Sequence, residues 1–195
     1  MLVDILKNKK IILGSASPRR KELLKSLGVD FKIRVAKAEE RFPKNLQKEK
    51  ISEFLALQKA KELLLELKEN EILITADTIV IKDEKILNKP KDESEAFEML
   101  SFLSDDVHEV ITSVCLLNTH KKEVFSSSTK VFFKNLSNTE INFYIENYKP
   151  FDKAGAYGIQ EWIGQIGIEK IDGSYSNVVG LPIAKLYQKI IQFVS

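Results

Sequence analysis

The residues that could do chemistry begin in the stretch Gly14 to Arg20, GSASPRR. Upstream, Ile11-Ile12-Leu13 reads as a short buried strand; downstream, Leu23, Leu24 and Leu27 keep helical spacing and Gly28 supplies a C-terminal stop. Ser17 suits the N-cap of that helix and Pro18 its first position, where a missing N–H costs nothing. Arg19, Arg20 and Lys21 then fall in the first turn. A helix N-terminus carries roughly half a positive charge, so folding alone does not ask for cations there. A strand, a turn of small residues, free N–H groups and clustered arginines are what a phosphate group needs. The alternative is a solvated basic turn.

Asp77 interrupts the centre of Glu71 to Ile81, EILITADTIVI, whose β-branched run is that of a strand covered on both faces. An unpaired buried carboxylate is costly, so Asp77 must meet a cation, a metal or several hydrogen-bond donors, and such a position is a functional candidate. Lys59 lies on the apolar stripe of a helix predicted over Ile51 to Leu67, between Leu55 and Leu63; its amine either snorkels into water or reaches into a cleft. If Asp83 and Glu84 are the loop of a hairpin, Lys89 falls opposite Thr78, one step from Asp77, and Pro90 ends the ladder. Glu40, in a proline-containing loop, is ordinary solvated surface unless the chain returns to the arginine turn. Gln160 ends Lys153 to Gln160, KAGAYGIQ, whose small residues let the backbone come close to something; a tight loop explains the glycines but not the Gln.

Arg19, Arg20, Lys59 and Lys89 could hold a polyphosphate, and Glu40 with Asp77 could bind a hard cation such as Mg²⁺ and orient a water. There is no GxxxxGK(S/T) and no GxGxxG, so the common kinase, GTPase and dinucleotide readings lose support. No Cys/His pair or serine elbow supports covalent acyl chemistry. Metal-assisted attack of water on phosphorus is the reaction class left.

The elements that must position these residues come from a chain of 195 residues, 44% hydrophobic, enough for one sizeable domain or two closely packed lobes. A net charge of +2 from 30 basic and 28 acidic residues makes any anion site local and argues against a nucleic-acid or membrane-surface partner. Cys115, the only cysteine, stands in an apolar run and is expected to fill core; it permits no internal disulfide and is consistent with a reducing compartment. His108 and His120 are the only histidines, which argues against a His-rich metal site. Without a leader-like start or a long apolar run, a soluble, untargeted chain is expected. Further predicted elements are a strand over Phe31 to Val35, a helix from an Asp92 cap to about Leu103, and a hairpin of His108 to Asn118 with Val124 to Lys134. A helix follows with a capping box, Ser137 and Glu140, and a staple, Leu136 and Ile141. A strand over Ile166 to Ile171, a turn at Asp172-Gly173-Ser174 and an amphipathic helix from Leu181 to Val194 close the chain. No repeat or linker is visible.

In order along nearly the whole chain, Ser15 to Arg20, Glu40, Lys59 in LALQKA, Ala76-Asp77-Thr78, Asn88-Lys89-Pro90, Ala154 to Gln160, and Asp172 to Pro182 resemble the Maf nucleotide pyrophosphatases. The resemblance implies an elongated Maf/ITPase-like α/β fold, a mixed twisted sheet flanked by helices, with residues 1–195 forming one domain of two lobes around a central cleft. It implies hydrolysis of a nucleoside triphosphate between the α- and β-phosphates with Mg²⁺ or Mn²⁺, giving a monophosphate and pyrophosphate. Asp77 would then accept a proton from water, and Glu40 with Asp77 would hold the metal. Arg20, Lys59 and Lys89 would bind phosphates, Ser15 and Ser17 would join the substrate-binding set, and Arg19, Thr78 and Gln160 would discriminate the base. Thr78 and the GIQ ending resemble the dTTP/UTP branch; the same likeness implies a cytoplasmic homodimer. Ser104-Asp105-Asp106 departs from the family's usual residues before His108, so a loop change touching product release, with activity kept, is expected there. Lys37-Ala38 replaces acids common before Glu40, which could weaken metal affinity. Two alternatives stay open: a pyrophosphatase of the same family for 7-methyl-GTP or another modified nucleotide, and a non-catalytic nucleotide-sensing regulator of cell division.

Overall fold

The computed structural model describes residues 1–37, 42–43 and 46–194. Along the chain run α1 (Leu2–Ile5), β1 (Lys10–Leu13), α2 (Pro18–Lys25), β2 (Phe31–Ile33), α3 (Lys48–Leu63), β3 (Glu71–Lys82), β4 (Lys85–Leu87) and α4 (Glu93–Leu103). Then come β5 (Val107–Leu117), β6 (Lys122–Phe133), α5 (Asn138–Tyr148), α6 (Trp162–Gly167), β7 (Ile168–Asp172), α7 (Tyr175–Val179) and α8 (Ile183–Val194). The seven strands form a mixed sheet in the order β2-β1-β3-β5-β6-β7, with β4 on β3. β1 is parallel to both β2 and β3, whereas β4 on β3 and β7 on β6 are antiparallel. The chain divides into two compact units, Met1–Asp77 with Thr112–Ser127 and Gly180–Ser195, and Thr78–Ile111 with Ser128–Val179.

In the first unit the uninterrupted apolar runs of β1 and β3 have a direct cause: both faces are covered. Ile11, Leu13, Ile72 and Ile74 pack in a core with Leu24, Leu186, Ile190 and Phe193. Ile12 and Leu73, pointing the other way, pack with Ala56, Ala60 and Leu63 of α3 and with Cys115. Cys115 is buried as expected, and burial pushes its thiol up to about 11. The second unit has its own core, which includes Val80, Leu100, Val131, Phe133, Ile141 and Tyr144. Asp92 caps α4 by accepting from Glu95 N at 2.8 Å. Ser137 and Glu140 form the expected capping box on α5, with Leu136 and Ile141 both in that core.

Differences from the sequence reading fall at element ends. β2 stops at Ile33 rather than Val35, because its partner β1 ends at Leu13, opposite Ile33. α3 begins at Lys48 and gives way to a 3₁₀ turn at Leu64–Glu66; Phe54 and Leu64 are exposed. β7 begins at Ile168 rather than Ile166 because Trp162–Gly167 is helical. The closing helix starts at Ile183 instead of Leu181, preceded by the short α7. The β3–β4 hairpin has the expected register, Lys82 with Lys85 and Val80 with Leu87. Asp83 and Glu84 adopt the positive φ of 44° and 65° that such a two-residue loop demands, although neither is Gly or Asn. Its ladder register runs to Val80 with Leu87, short of Thr78 and Lys89, and the Asn88 carbonyl accepts from Gly155 N at 3.2 Å. The Asp105-Asp106 departure forms a tight turn, Asp105 at φ 56°, with Asp106 ion-paired to Lys82 at 2.8 Å.

Gly155 itself has φ 69°, and a Cβ there would stand 3.1 Å from both methyls of Val80. Gly155→Ala should therefore cost about 1–3 kcal/mol of stability, from left-handed backbone and crowding together. Urea unfolding should show a lower midpoint at unchanged slope.

Candidate functional site

In the first unit the GSASPRR turn leaves the sheet where Gly14 N donates to the Ile74 carbonyl at 2.7 Å. A Cβ on Gly14 would lie 2.5 Å from the Thr75 methyl, so the turn can run against β3 at this point because residue 14 is glycine. Ser17 caps α2, its Oγ accepting from Arg20 N at 3.4 Å, with Pro18 at the first position as expected. The Arg20 guanidinium folds back: Nε donates to the Gly180 carbonyl at 2.9 Å and Nη1 to Ser15 Oγ at 3.3 Å. Ser15 is buried and also accepts from Ser17 N at 3.3 Å. The turn thus brings Ser15, Ser17 and Arg20 together, with half-buried Arg19 beside them in sequence.

Two residues beyond Thr75, Asp77 is buried near the middle of β3, where Lys59 reaches it: Nζ stands 2.6 Å from Oδ1, with the side chains 15% and 9% exposed. Lys59 thus does not snorkel into water; its amine is turned to the buried carboxylate. Thr75 Oγ1 donates to the Ala56 carbonyl of α3 at 2.7 Å, which holds the backbone of the helix against the strand within a few residues of both members of the pair.

The second unit begins at Thr78, half-buried and next to Asp77 on β3, and carries Lys89 and Gln160, both exposed. Gln160 Nε2 donates to Glu161 Oε1 at 3.3 Å. Glu161 also accepts from the Tyr144 hydroxyl and pairs with buried Lys153 at 3.1 Å. Sequence reasoning missed Lys153, Glu161 and Tyr144; the usable signal was a glycine loop bracketed by a lysine and a glutamate. Within the same loop Tyr157 is buried, its hydroxyl 2.7 Å from His108 Nε2, and its ring packs edge-on against Phe133. His108 Nδ1 has no hydrogen-bond partner among the described residues. Burial holds His108 down to about 3, helped by the Lys82 ammonium and opposed by Asp106, so the imidazole is neutral.

Glu40 lies outside the described residues. Among the described residues no three His, Cys, Asp or Glu side chains converge as a metal cage. Asp77 nonetheless offers the hard oxygen donor that Mg²⁺ takes, and Mg²⁺ is commonly held by one or two carboxylates plus substrate phosphates, so the residues fit such an ion. No helix among the described residues is long and apolar enough to cross a membrane.

The mixed sheet flanked by helices is a Maf/ITPase-like α/β fold. It superimposes on the Ham1 protein of Staphylococcus aureus with a TM-score of 0.55 at 15% identity, covering 96% of this chain and 100% of that one. The chain belongs to the Maf-like protein family, whose model matches residues 10–193. It is 50% identical over 195 residues, all of both chains, to a dTTP/UTP pyrophosphatase of Christiangramia forsetii. It is 52% identical over 187 residues, 96% of each chain, to a dTTP/UTP pyrophosphatase of Flavobacterium psychrophilum.

The buried His108 has a pH signature. Its folded-state affinity for protons lies below the unfolded value of 6.5, so between about 3 and 6.5 the unfolded chain binds the extra proton and stability falls as pH falls. Acidifying from about pH 7 to about pH 5 should remove about 2 kcal/mol through this group, and none above neutrality. Unfolding free energies of wild type and His108→Gln across that interval should differ by this slope.

Proposed function

We propose that the chain hydrolyses dTTP and UTP to the nucleoside monophosphate and pyrophosphate. The observation that carries the chemistry is the Lys59–Asp77 pair: a buried carboxylate with an ammonium 2.6 Å away, in a family of pyrophosphatases, is the group here that can take a proton from water. The pyrimidine substrates are carried by full-length relatives bearing that name.

In this reading a water attacks the α-phosphorus and gives its proton to Asp77. The bond to the oxygen bridging the α- and β-phosphates breaks, and pyrophosphate leaves with that electron pair. Arg20, pre-oriented by Ser15 and the Gly180 carbonyl, binds phosphate oxygens at the helix N-terminus capped by Ser17. Lys59 and Lys89 add charge to the phosphate set, while Arg19, Thr78 and Gln160 read the base. Glu40 and Asp77 would hold a divalent cation, Mg²⁺ or Mn²⁺, which when bound neutralises developing charge on phosphate. Cytoplasmic nucleotide pools would supply the substrate.

The test is product analysis with Mg²⁺ over dTTP, UTP, CTP, GTP and 7-methyl-GTP, wild type beside Asp77→Asn. Wild type should release pyrophosphate with dTMP or UMP, and Asp77→Asn should be slower by about 10²–10⁴-fold while dTTP still raises its melting temperature. Release of orthophosphate, or undiminished turnover by Asp77→Asn, would overturn the assignment; preferential cleavage of 7-methyl-GTP would move the substrate to the purine side.

A further inference from the structure

Glu161, next to Gln160, takes no part in the chemistry above, yet both its oxygens are committed. Oε1 faces Lys153 Nζ at 3.1 Å and Gln160 Nε2 at 3.3 Å, and Oε2 accepts from the Tyr144 hydroxyl. These partners are themselves held. Lys153, buried in this loop, also pairs with Asp152 at 2.8 Å. The Tyr144 oxygen accepts from Gly158 N at 3.0 Å, and burial, then the Glu161 carboxylate, pushes its hydroxyl well up, so it stays a donor.

A second observation fixes the same arrangement from the backbone side. A Cβ on Gly158 would stand 2.6 Å from Gln160 Nε2 and 2.9 Å from Glu161 Cδ. Both side chains therefore fold back over Gly158, into space that any other residue would fill.

Glu161 Oε1, which also faces the Lys153 amine, accepts here, so the end of the Gln160 amide that faces it is the NH₂. Its carbonyl oxygen is the end left to a ligand. Resting on the proposed pyrimidine-nucleotide reading, we propose that Glu161 is a positioning residue that holds Gln160 as an acceptor, and so selects bases that carry a hydrogen at N3. Uracil and thymine have N3–H; cytosine presents a bare N3 lone pair, which would face the Gln160 oxygen acceptor to acceptor. An unconstrained glutamine could turn its amide over and greet either base, so the selectivity belongs to the pair and not to Gln160 alone.

The experiment reads binding, not turnover: calorimetric Kd values for the uncleavable α,β-imido analogues of UTP and CTP. They are measured on wild type, Glu161→Gln, Gln160→Met and the double variant, with melting temperatures as a check on folding. Glu161→Gln keeps an acceptor for Tyr144 but lets the neighbouring amide turn. It should narrow the preference for the uridine analogue by about tenfold, mostly by gaining affinity for the cytidine analogue. In the Gln160→Met background the same change should leave the preference unaltered, which a merely structural effect on the loop would not do. A preference within about twofold of wild type in Glu161→Gln, an equal loss in both backgrounds, or no binding of the uridine analogue would each overturn the proposal. Absence of turnover with the Kd pattern intact would instead overturn the pyrophosphatase reading and leave this one standing.

Discussion

A carboxylate placed near the middle of a strand covered on both faces has to be answered by something, and here the answer is Lys59. Removing one member of such a pair leaves a buried charge unmatched, typically a loss of about 3–5 kcal/mol, so a change at either position is felt at the other. The neighbourhood is arranged accordingly. Thr75, two residues before Asp77, spends its hydroxyl on the Ala56 carbonyl, three residues before Lys59, and thereby sets helix against strand. Gly14 is small because Thr75 is there, with its methyl 2.5 Å from where a Cβ would stand. The arginine turn leaves the sheet beside β3 for the same reason that Asp77 is paired: β3 is the strand against which this unit is assembled.

The cations of the arginine turn pose the opposite problem. They sit where the helix field disfavours them, and Arg20 is held there by acceptors within the chain: the Gly180 carbonyl takes its Nε–H and the buried Ser15 hydroxyl accepts from Nη1. A guanidinium held in that way has lost its rotamer freedom before any anion arrives, so binding need not pay for it again. The same turn gives Ser17 to the helix as a cap, so one short stretch both starts the helix and holds the arginine.

What was legible in the sequence was mostly local. The buried runs Ile11-Ile12-Leu13 and Ile72-Leu73-Ile74, the caps at Ser17, Asp92 and Ser137 and the register of the β3–β4 hairpin follow from residues a few positions apart. The need for a partner at Asp77 was legible too, from burial alone. Its identity was not, because Lys59 stands on another element and the lysine's own surroundings allowed two outcomes. Trp162–Gly167 shows the usual limit of periodicity, since a short apolar run can be helix or strand until tertiary contacts decide. The end of the β4 ladder was set by a hydrogen bond from Gly155 to Asn88, across more than half the second unit's sequence, which no local pattern encodes. Glu161 was invisible for the same reason: its donors come from α5 and from the far end of its loop.

The second unit repeats the logic of the first in a different currency. Its loop from Lys153 to Glu161 buries several polar groups, and each acquires a partner that also restrains the chain: Tyr144 holds Gly158 N, Lys153 holds Glu161, and His108 holds the Tyr157 hydroxyl. Among the described residues His108 Nδ1 finds no hydrogen-bond partner, which shows how closely that packing is closed. A loop secured at so many points cannot re-aim its exposed end cheaply. Gln160 is that end, and selectivity for a ligand requires a group that keeps its hydrogen-bonding face when the wrong partner is presented. Burial of the loop's polar side chains is thus the physical origin of any discrimination its tip can exert, just as burial of Asp77 is the reason that it must be paired.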